Sequence, residues 1–197
     1  MAKFYLIRHG ENDMVGKALA GWMPGVHLNA TGRAQAERLA ARLLTLGVDR
    51  IYASPLERAQ ETAEPIAGAL GLNVETRESL GEFPAGEWTG KTFRELEDDP
   101  KWQIFNQYRS GTRVPGGELM LETQTRIVAE LLCLRDRHEK ERIAVVSHAD
   151  PIRAALTFFL GMPLDFYRRM EVSPGSYTTL ELEDWGPIVL NLNQSCS

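Results

Sequence analysis

Residues 3–13 read Lys-Phe-Tyr-Leu-Ile-Arg-His-Gly-Glu-Asn-Asp. Phe4, Tyr5, Leu6 and Ile7 have the unbroken apolar character of a strand buried on both faces, and such strands belong to parallel sheets covered by helices. The run then passes straight into Arg8, His9 and Gly10. A core strand that ends on a guanidinium and an imidazole delivers both to a sheet edge, where a ligand can meet them.

The same pattern recurs twice further along. Arg50-Ile-Tyr-Ala-Ser54 runs into Pro55-Leu56-Glu57-Arg58, and Ile143-Ala-Val-Val-Ser147 runs into His148-Ala-Asp-Pro-Ile-Arg153. In an open parallel sheet the carboxyl ends of the strands share one edge, and ligands sit in the crevice there, so the three ends are expected to converge. Ser54-Pro55-Leu56-Glu57 has the form of a capping box with proline at the first helical position, and Asp150-Pro151 that of a cap followed by proline. Two helix N-termini would then aim free N–H groups at the crevice. Arg8, Arg58 and Arg153 add positive charge beside His9 and His148. Each residue alone has a plainer reading: Arg58 as a solvated charge between Glu57 and Glu61, Arg153 as a rim residue, either histidine as a satisfied loop residue. Gathered in a chain of net charge -5, they point to a small, doubly charged anion, with phosphate the first candidate.

Between these ends, strand-like and helical segments alternate: helices over 31–46, 55–70, 121–134 and 151–160, strands over 50–53, 73–76 and 143–146. Gly47 and Gly71 read as helix stops, and Pro65 is expected to kink or interrupt its helix. Residues 177–182 and 188–192, joined through Asp184-Trp185-Gly186-Pro187, read as a hairpin. The expected fold is α/β, a three-layer α/β/α sandwich with a mostly parallel central sheet. Residues 1–197 are read as one domain, in which residues 82–118, rich in proline, glycine and aromatics, form a small insertion covering the active-site edge. There Trp88, Phe93, Trp102, Phe105 and Tyr108 either pack a small core or wall a substrate pocket.

The totals narrow the classes. With 43% hydrophobic and 25% charged residues and a slight acidic excess, disorder and a generally basic nucleic-acid surface are excluded. No apolar stretch has the length of a signal-peptide core or a membrane span, so the chain is read as cytoplasmic, with no membrane partner. Cys133 and Cys196 give neither a disulfide framework nor a metal pattern, and His27 and His138 lack ligand spacing; His138 is read as a surface residue. No metal and no cofactor is expected. The open edge of the C-terminal hairpin offers a pairing surface for a homodimer.

With these segments in view, the chain resembles the histidine phosphatase superfamily, the phosphoglycerate mutase-like family. Arg8-His9-Gly10-Glu11 matches the signature that names it. Leu28 to Gln35 is similar to the helix start that follows, and Ser54 to Ala63 to the segment with the second phosphate arginine. Leu80 to Gly90 resembles the acid-bearing segment, Pro115 to Glu118 the approach to the long helix, and Val145 to His148 the second histidine. The resemblance implies His9 as nucleophile, Arg8, Arg58 and His148 as the phosphate pocket, Glu82 as proton donor, and Asn12 near the phosphate. The residues alone leave Glu78, Glu82 and Glu87 equivalent; the choice of Glu82 rests on the resemblance. Three departures stand out, the first being Asn12, where the family usually has threonine or serine. Val15 occupies a position where the family often has asparagine, and Ala149-Asp150 follows His148 where glycines are common.

The implied chemistry is hydrolysis of a phosphate monoester on a small metabolite. A neutral imidazole at His9 attacks phosphorus while arginines neutralise the oxygens, and Glu82 protonates the departing alcohol and then activates water against the phosphohistidine. Three rivals are a phosphoglycerate mutase-type phosphotransfer, a protein phosphohistidine phosphatase, and a non-catalytic phosphate-binding module. The mutase must keep water from phosphohistidine, and the segment after Glu82 is modest for such a lid.

Overall fold

A computed structural model describes residues 2–196. The strands are β1 (Ala2–Arg8), β2 (Arg50–Ala53), β3 (Val74–Thr76), β4 (Arg142–Ser147), β5 (Ser176–Glu183) and β6 (Gly186–Ser195). The helices are α1 (Ala30–Leu46), α2 (Glu57–Leu70), α3 (Phe93–Leu96), α4 (Pro100–Gln107), α5 (Met120–Arg137) and α6 (Ala149–Phe159). One six-stranded sheet runs in the order β3-β2-β4-β1-β5-β6. The first four strands in that order pair in parallel, and the β5–β6 hairpin adds two antiparallel strands at one side.

Alternation along the strands makes the layers. Tyr5, Ile7, Ala144 and Val146 face Leu39 and Leu43 of α1 and Ala59, Ala63 and Ile66 of α2. Phe4, Leu6, Ile143 and Val145 point the other way, onto Ile127, Leu131 and Leu134 of α5 and Ile152 and Leu156 of α6. Both strand faces are thus covered, which is why β1 and β4 are nearly pure apolar runs. The expected three-layer sandwich is the observed one.

Register then places the strand ends. Arg8 pairs with Ser147 and Ala53 with Val146, so β1, β4 and β2 finish level. The ladder continues one residue further: the His9 N–H donates to the Ser147 carbonyl at 3.0 Å, and the Ser54 N–H to that of Val146 at 2.9 Å.

Helix boundaries follow local chemistry, with two corrections. The Asn29 side chain caps α1 by accepting from the Gly32 N–H at 2.9 Å, and Gly47 closes it in the left-handed region at φ 67°. Gly71 ends α2 the same way. However, α2 starts at Glu57, not Pro55, with Leu56 before it. Ser54 is no cap, because its N–H is still committed to the sheet and its hydroxyl to His148 and the Leu56 N–H. Likewise α6 starts at Ala149, with His148 rather than Asp150 at the capping position; the His148 carbonyl already accepts the helical bond from Ile152. Pro151 still falls in the first turn, where a missing N–H costs nothing. Pro65 lies inside an uninterrupted α2.

Residues 82–118 form α3, α4 and a 3-10 turn at Gly86–Trp88. Phe83, Trp88, Leu96, Phe105 and Val114 pack there with Met120, Leu164 and Tyr167, so Trp88 and Phe105 are core residues. Trp102 packs on this core and, with Phe93, also borders a cavity, while Tyr108 is exposed. His138 is corrected as well: its Nε2 lies 2.7 Å from the hydroxyl of buried Tyr52 and its Nδ1 2.8 Å from Glu141, making it a packed, hydrogen-bonded residue. Among the described residues no helix is long and apolar enough to cross a membrane.

Candidate active site

The level strand ends bring His9 and His148 together, with ring centroids 5.1 Å apart and both rings buried. His9 Nδ1 lies 2.7 Å from the Gly10 carbonyl oxygen. A carbonyl only accepts, so Nδ1 carries the hydrogen and Nε2 keeps its lone pair. Gly10 is fixed in turn: its N–H donates to Thr62 Oγ1 at 3.0 Å, and the Thr62 hydroxyl donates to the Arg58 carbonyl at 2.7 Å. A Cβ at Gly10 would sit 2.5 Å from the Gly32 carbonyl oxygen, so only glycine lets this loop pass the start of α1.

Arg8 and Arg58 come from the ends of β1 and α2. One terminal nitrogen of each is spent on the fold: Arg8 Nη1 donates to the Val172 carbonyl at 2.7 Å, and Arg58 Nη2 to that of Gly21 at 2.8 Å. Arg8 Nε and Arg58 Nη1 are buried without a partner. His148 repeats the arrangement, with Nε2 at 2.8 Å from Ser54 Oγ and Nδ1 buried and unpartnered. Buried donors normally find acceptors, so the orphaned nitrogens of two arginines, with the His148 ring beside them, mark a place for an anion. Arg58, 1% exposed, is no solvated helix charge.

Glu82 reaches the site from the segment 82–118. Its backbone carbonyl is pinned by Arg126 Nη2 at 2.9 Å and by the Trp22 indole, while its Oε1 accepts from the Phe83 N–H at 3.0 Å. Arg8, His9, Asn12, Arg58 and Glu82 line one cavity of about 180 Å³, walled by Val15, Leu19, Phe83 and Phe93. Asn12 is buried, and its side-chain oxygen accepts from the Met14 N–H at 3.0 Å, leaving the amide nitrogen as its donor. Of the other acidic candidates, Glu78 and Glu87 border none of this cavity.

The electrostatics divide the groups. Burial, then Arg58 and Arg8, hold His9 well below the ordinary imidazole range; burial, then Arg58 and His9, do the same to His148. Both rings are therefore neutral near pH 7. Burial, then Asp150, push the Glu82 carboxyl up to about 7 against the pull of Arg58 and Arg8. Burial also lowers Arg8 and Arg58, with Glu82 opposing.

Sequence reasoning missed several contributors. Ser54 was visible only as a cap, yet it orients His148 from 94 residues away. Asp150, read only as a cap, borders the cavity, as does Arg153, whose charge the sequence did place there. Arg153 is also structural, as its Nε donates to the Met170 carbonyl at 2.9 Å. Beyond Phe83 and Phe93 the cavity adjoins a chamber of about 380 Å³, which shares Asp150 and Arg153 and reaches Arg109. Arg109 is 6% exposed and stacked between Phe105 and Tyr167 at 4.3 and 4.4 Å. Its Nη2 donates to Asn106 at 2.8 Å, while Nε and Nη1 are unpartnered. Nothing in the sequence distinguished this arginine from a surface one.

An α/β sandwich that presents two buried histidines and two orphaned arginines at one strand edge is built to hold phosphate beside an imidazole. Residues 4–195 match the model of the histidine phosphatase superfamily (branch 1), and the chain belongs to that family. Phosphoserine phosphatase 1 of Hydrogenobacter thermophilus is 30% identical over 201 residues, covering 100% of this chain and 94% of the relative. A probable phosphoglycerate mutase, GpmB, of Enterobacter sp. is 30% identical over 187 residues, 93% of this chain and 86% of the relative. Among solved structures, a histidine-to-alanine mutant of phosphoserine phosphatase from Entamoeba histolytica, in complex with phosphoserine, superposes with a TM-score of 0.89 at 30% identity, covering 98% of each chain. YhfR of Bacillus stearothermophilus superposes with a TM-score of 0.92 at 30% identity, over 100% of this chain and 98% of the other.

Proposed function

We propose that this protein is a phosphomonoesterase that hydrolyses a small phosphorylated metabolite through phosphohistidine at His9. The observation that carries the reading is the set of buried, unpartnered nitrogens on Arg8, Arg58 and His148 beside a His9 ring whose Nε2 lone pair is free.

Phosphate enters with its oxygens on those nitrogens, and the Asn12 amide adds a donor at the rim. The His9 Nε2 lone pair attacks phosphorus; the ester P–O bond breaks, and the electron pair leaves with the alcohol oxygen, which takes the proton of Glu82. A neutral ring suits this step, because it meets the dianion without charge repulsion. The Glu82 carboxylate then accepts a proton from water as the water oxygen attacks phosphorus, the P–N bond breaks, and its pair returns to Nε2. The products are the alcohol and inorganic phosphate. Arginine donors stabilise the charge that spreads over the equatorial oxygens, a contribution of several kcal/mol, so the scheme requires no metal or nucleotide.

The alcohol half is small, since phosphate and alcohol together share a reaction cavity of about 180 Å³, and it carries an acid. Arg109 supports this: a buried cation with two free N–H groups in the adjoining chamber suits a carboxylate. Relatives named for phosphoserine, one of them solved in complex with 3-phosphoglyceric acid, have substrates or ligands of this kind. The test is a phosphoester panel read out by released phosphate, with His9→Ala as control. Rapid release from phosphoserine or another acid-bearing monoester is expected; release no faster than that of the control across the panel would favour a phosphate-binding module. The GpmB relative keeps a mutase as the second reading. Isomerisation of a phosphoglycerate that depends on a bisphosphate primer, with negligible phosphate release, would select it.

A further inference from the structure

Asp150 is an anion in a cavity built for an anion. It is the second residue of α6 and borders both the reaction cavity and the chamber beyond it. Left without purpose, its charge would only weaken phosphate binding. Its surroundings supply partners for that charge: Arg153 Nη1 lies 3.6 Å from Oδ1, Arg8 faces it from β1, the Tyr167 hydroxyl faces it from the Leu164–Arg169 turn, and the first turn of α6 adds a positive dipole end.

Glu82 lines the same cavity. Its carboxyl accepts one hydrogen bond, from the Phe83 N–H, and the charged groups facing it are Arg58 from α2, Arg8 from β1 and Asp150 from α6. A second carboxylate in the same cavity disfavours charge on Glu82. We propose that Asp150 is a positioning residue for proton transfer: its charge, anchored by Arg153 and the start of α6, keeps the proton on Glu82 until the leaving oxygen takes it. The inference rests on Glu82 being the donor in the proposed reaction. Burial of Glu82 acts in the same direction as Asp150, and the incoming phosphate dianion adds to both.

Asp150→Asn keeps the shape and removes the charge. The measurement is the pH profile of kcat/KM for an alkyl phosphomonoester on wild type, D150N and D150E, with p-nitrophenyl phosphate, whose leaving group needs little protonation, as the second substrate. The expected result is a basic limb moved down by roughly one pH unit in D150N, about a tenfold loss above the limb. D150E should restore the limb, and above the limb D150N should lose less on p-nitrophenyl phosphate than on the alkyl ester. An unmoved limb in D150N overturns the proposal, whatever happens to the maximal rate, because loss of a merely structural contact lowers the rate without moving the limb. Glu82→Gln keeps the two ideas separate. If E82Q hydrolyses the alkyl ester as wild type does, the donor assignment itself fails; if E82Q is inactive and the D150N limb stays in place, only the role of Asp150 falls. Should D150N not fold, as judged by circular dichroism, D150S removes the same charge with a residue suited to helix starts and is read by the same limb.

Discussion

In the proposed reaction His9 is the nucleophile, with a neutral ring held in one tautomer by the Gly10 carbonyl. Replacing it with alanine should lower phosphate release by at least about 10⁴-fold while leaving the fold intact, as read by steady-state kinetics and circular dichroism. Glu82→Gln should cost roughly 10²- to 10⁴-fold on alkyl phosphoesters and far less on p-nitrophenyl phosphate, because only a poor leaving group needs the proton. Equal losses on both substrates would remove Glu82 from the proton path. Arg109→Lys keeps the charge but not the planar fork. It should raise KM about tenfold for acid-bearing esters and leave p-nitrophenyl phosphate unaffected. Unchanged KM values would take Arg109 out of substrate binding.

Caps and close approaches set where these side chains arrive. The Asn29 cap fixes the start of α1, and the Gly10 turn packs directly against that start. Asn29→Ala should cost about 1 kcal/mol in urea unfolding. Gly10→Ala should lower kcat more than stability, since the backbone shift it forces moves the carbonyl that holds His9. Most elements were legible because their signals are local: the apolar runs of β1 and β4, the leucine spacing and Gly47 stop of α1, the proline-rich texture of residues 82–118. The starts of α2 and α6 were not, because a capping box in sequence cannot show that the Ser54 hydroxyl is claimed by a histidine in another segment. His138 was misjudged for a similar reason, its partner Tyr52 lying 86 residues away. The convergence of Arg8, His9, Arg58 and His148 was legible, since a parallel sheet aligns strand ends; the choice of Glu82 among three glutamates came from family likeness, and Arg109 depended on a stacking geometry no local pattern encodes.

The whole molecule carries the cost of its site as pH-dependent stability. Neutral, buried His9 and His148 have folded-state values well below 6.5, so the unfolded chain binds more protons under that pH, and stability is present above 6.5 and lost as pH falls. Glu82 acts oppositely: with a folded value of about 7 against 4.5 unfolded, its contribution is full below 4.5 and lost as pH rises through 7. E82Q should therefore gain on wild type by up to about 3 kcal/mol in urea unfolding between pH 4.5 and 8, and a constant difference would refute the raised carboxyl. The proposed reaction runs through a covalent step at one ring. Rapid quench of the enzyme with phosphoserine, or with whichever ester the panel selects, followed by peptide mass spectrometry should find alkali-stable, acid-labile phosphate on the peptide containing His9. Steady turnover with no such label at any quench time, or with the label on another residue, would contradict it.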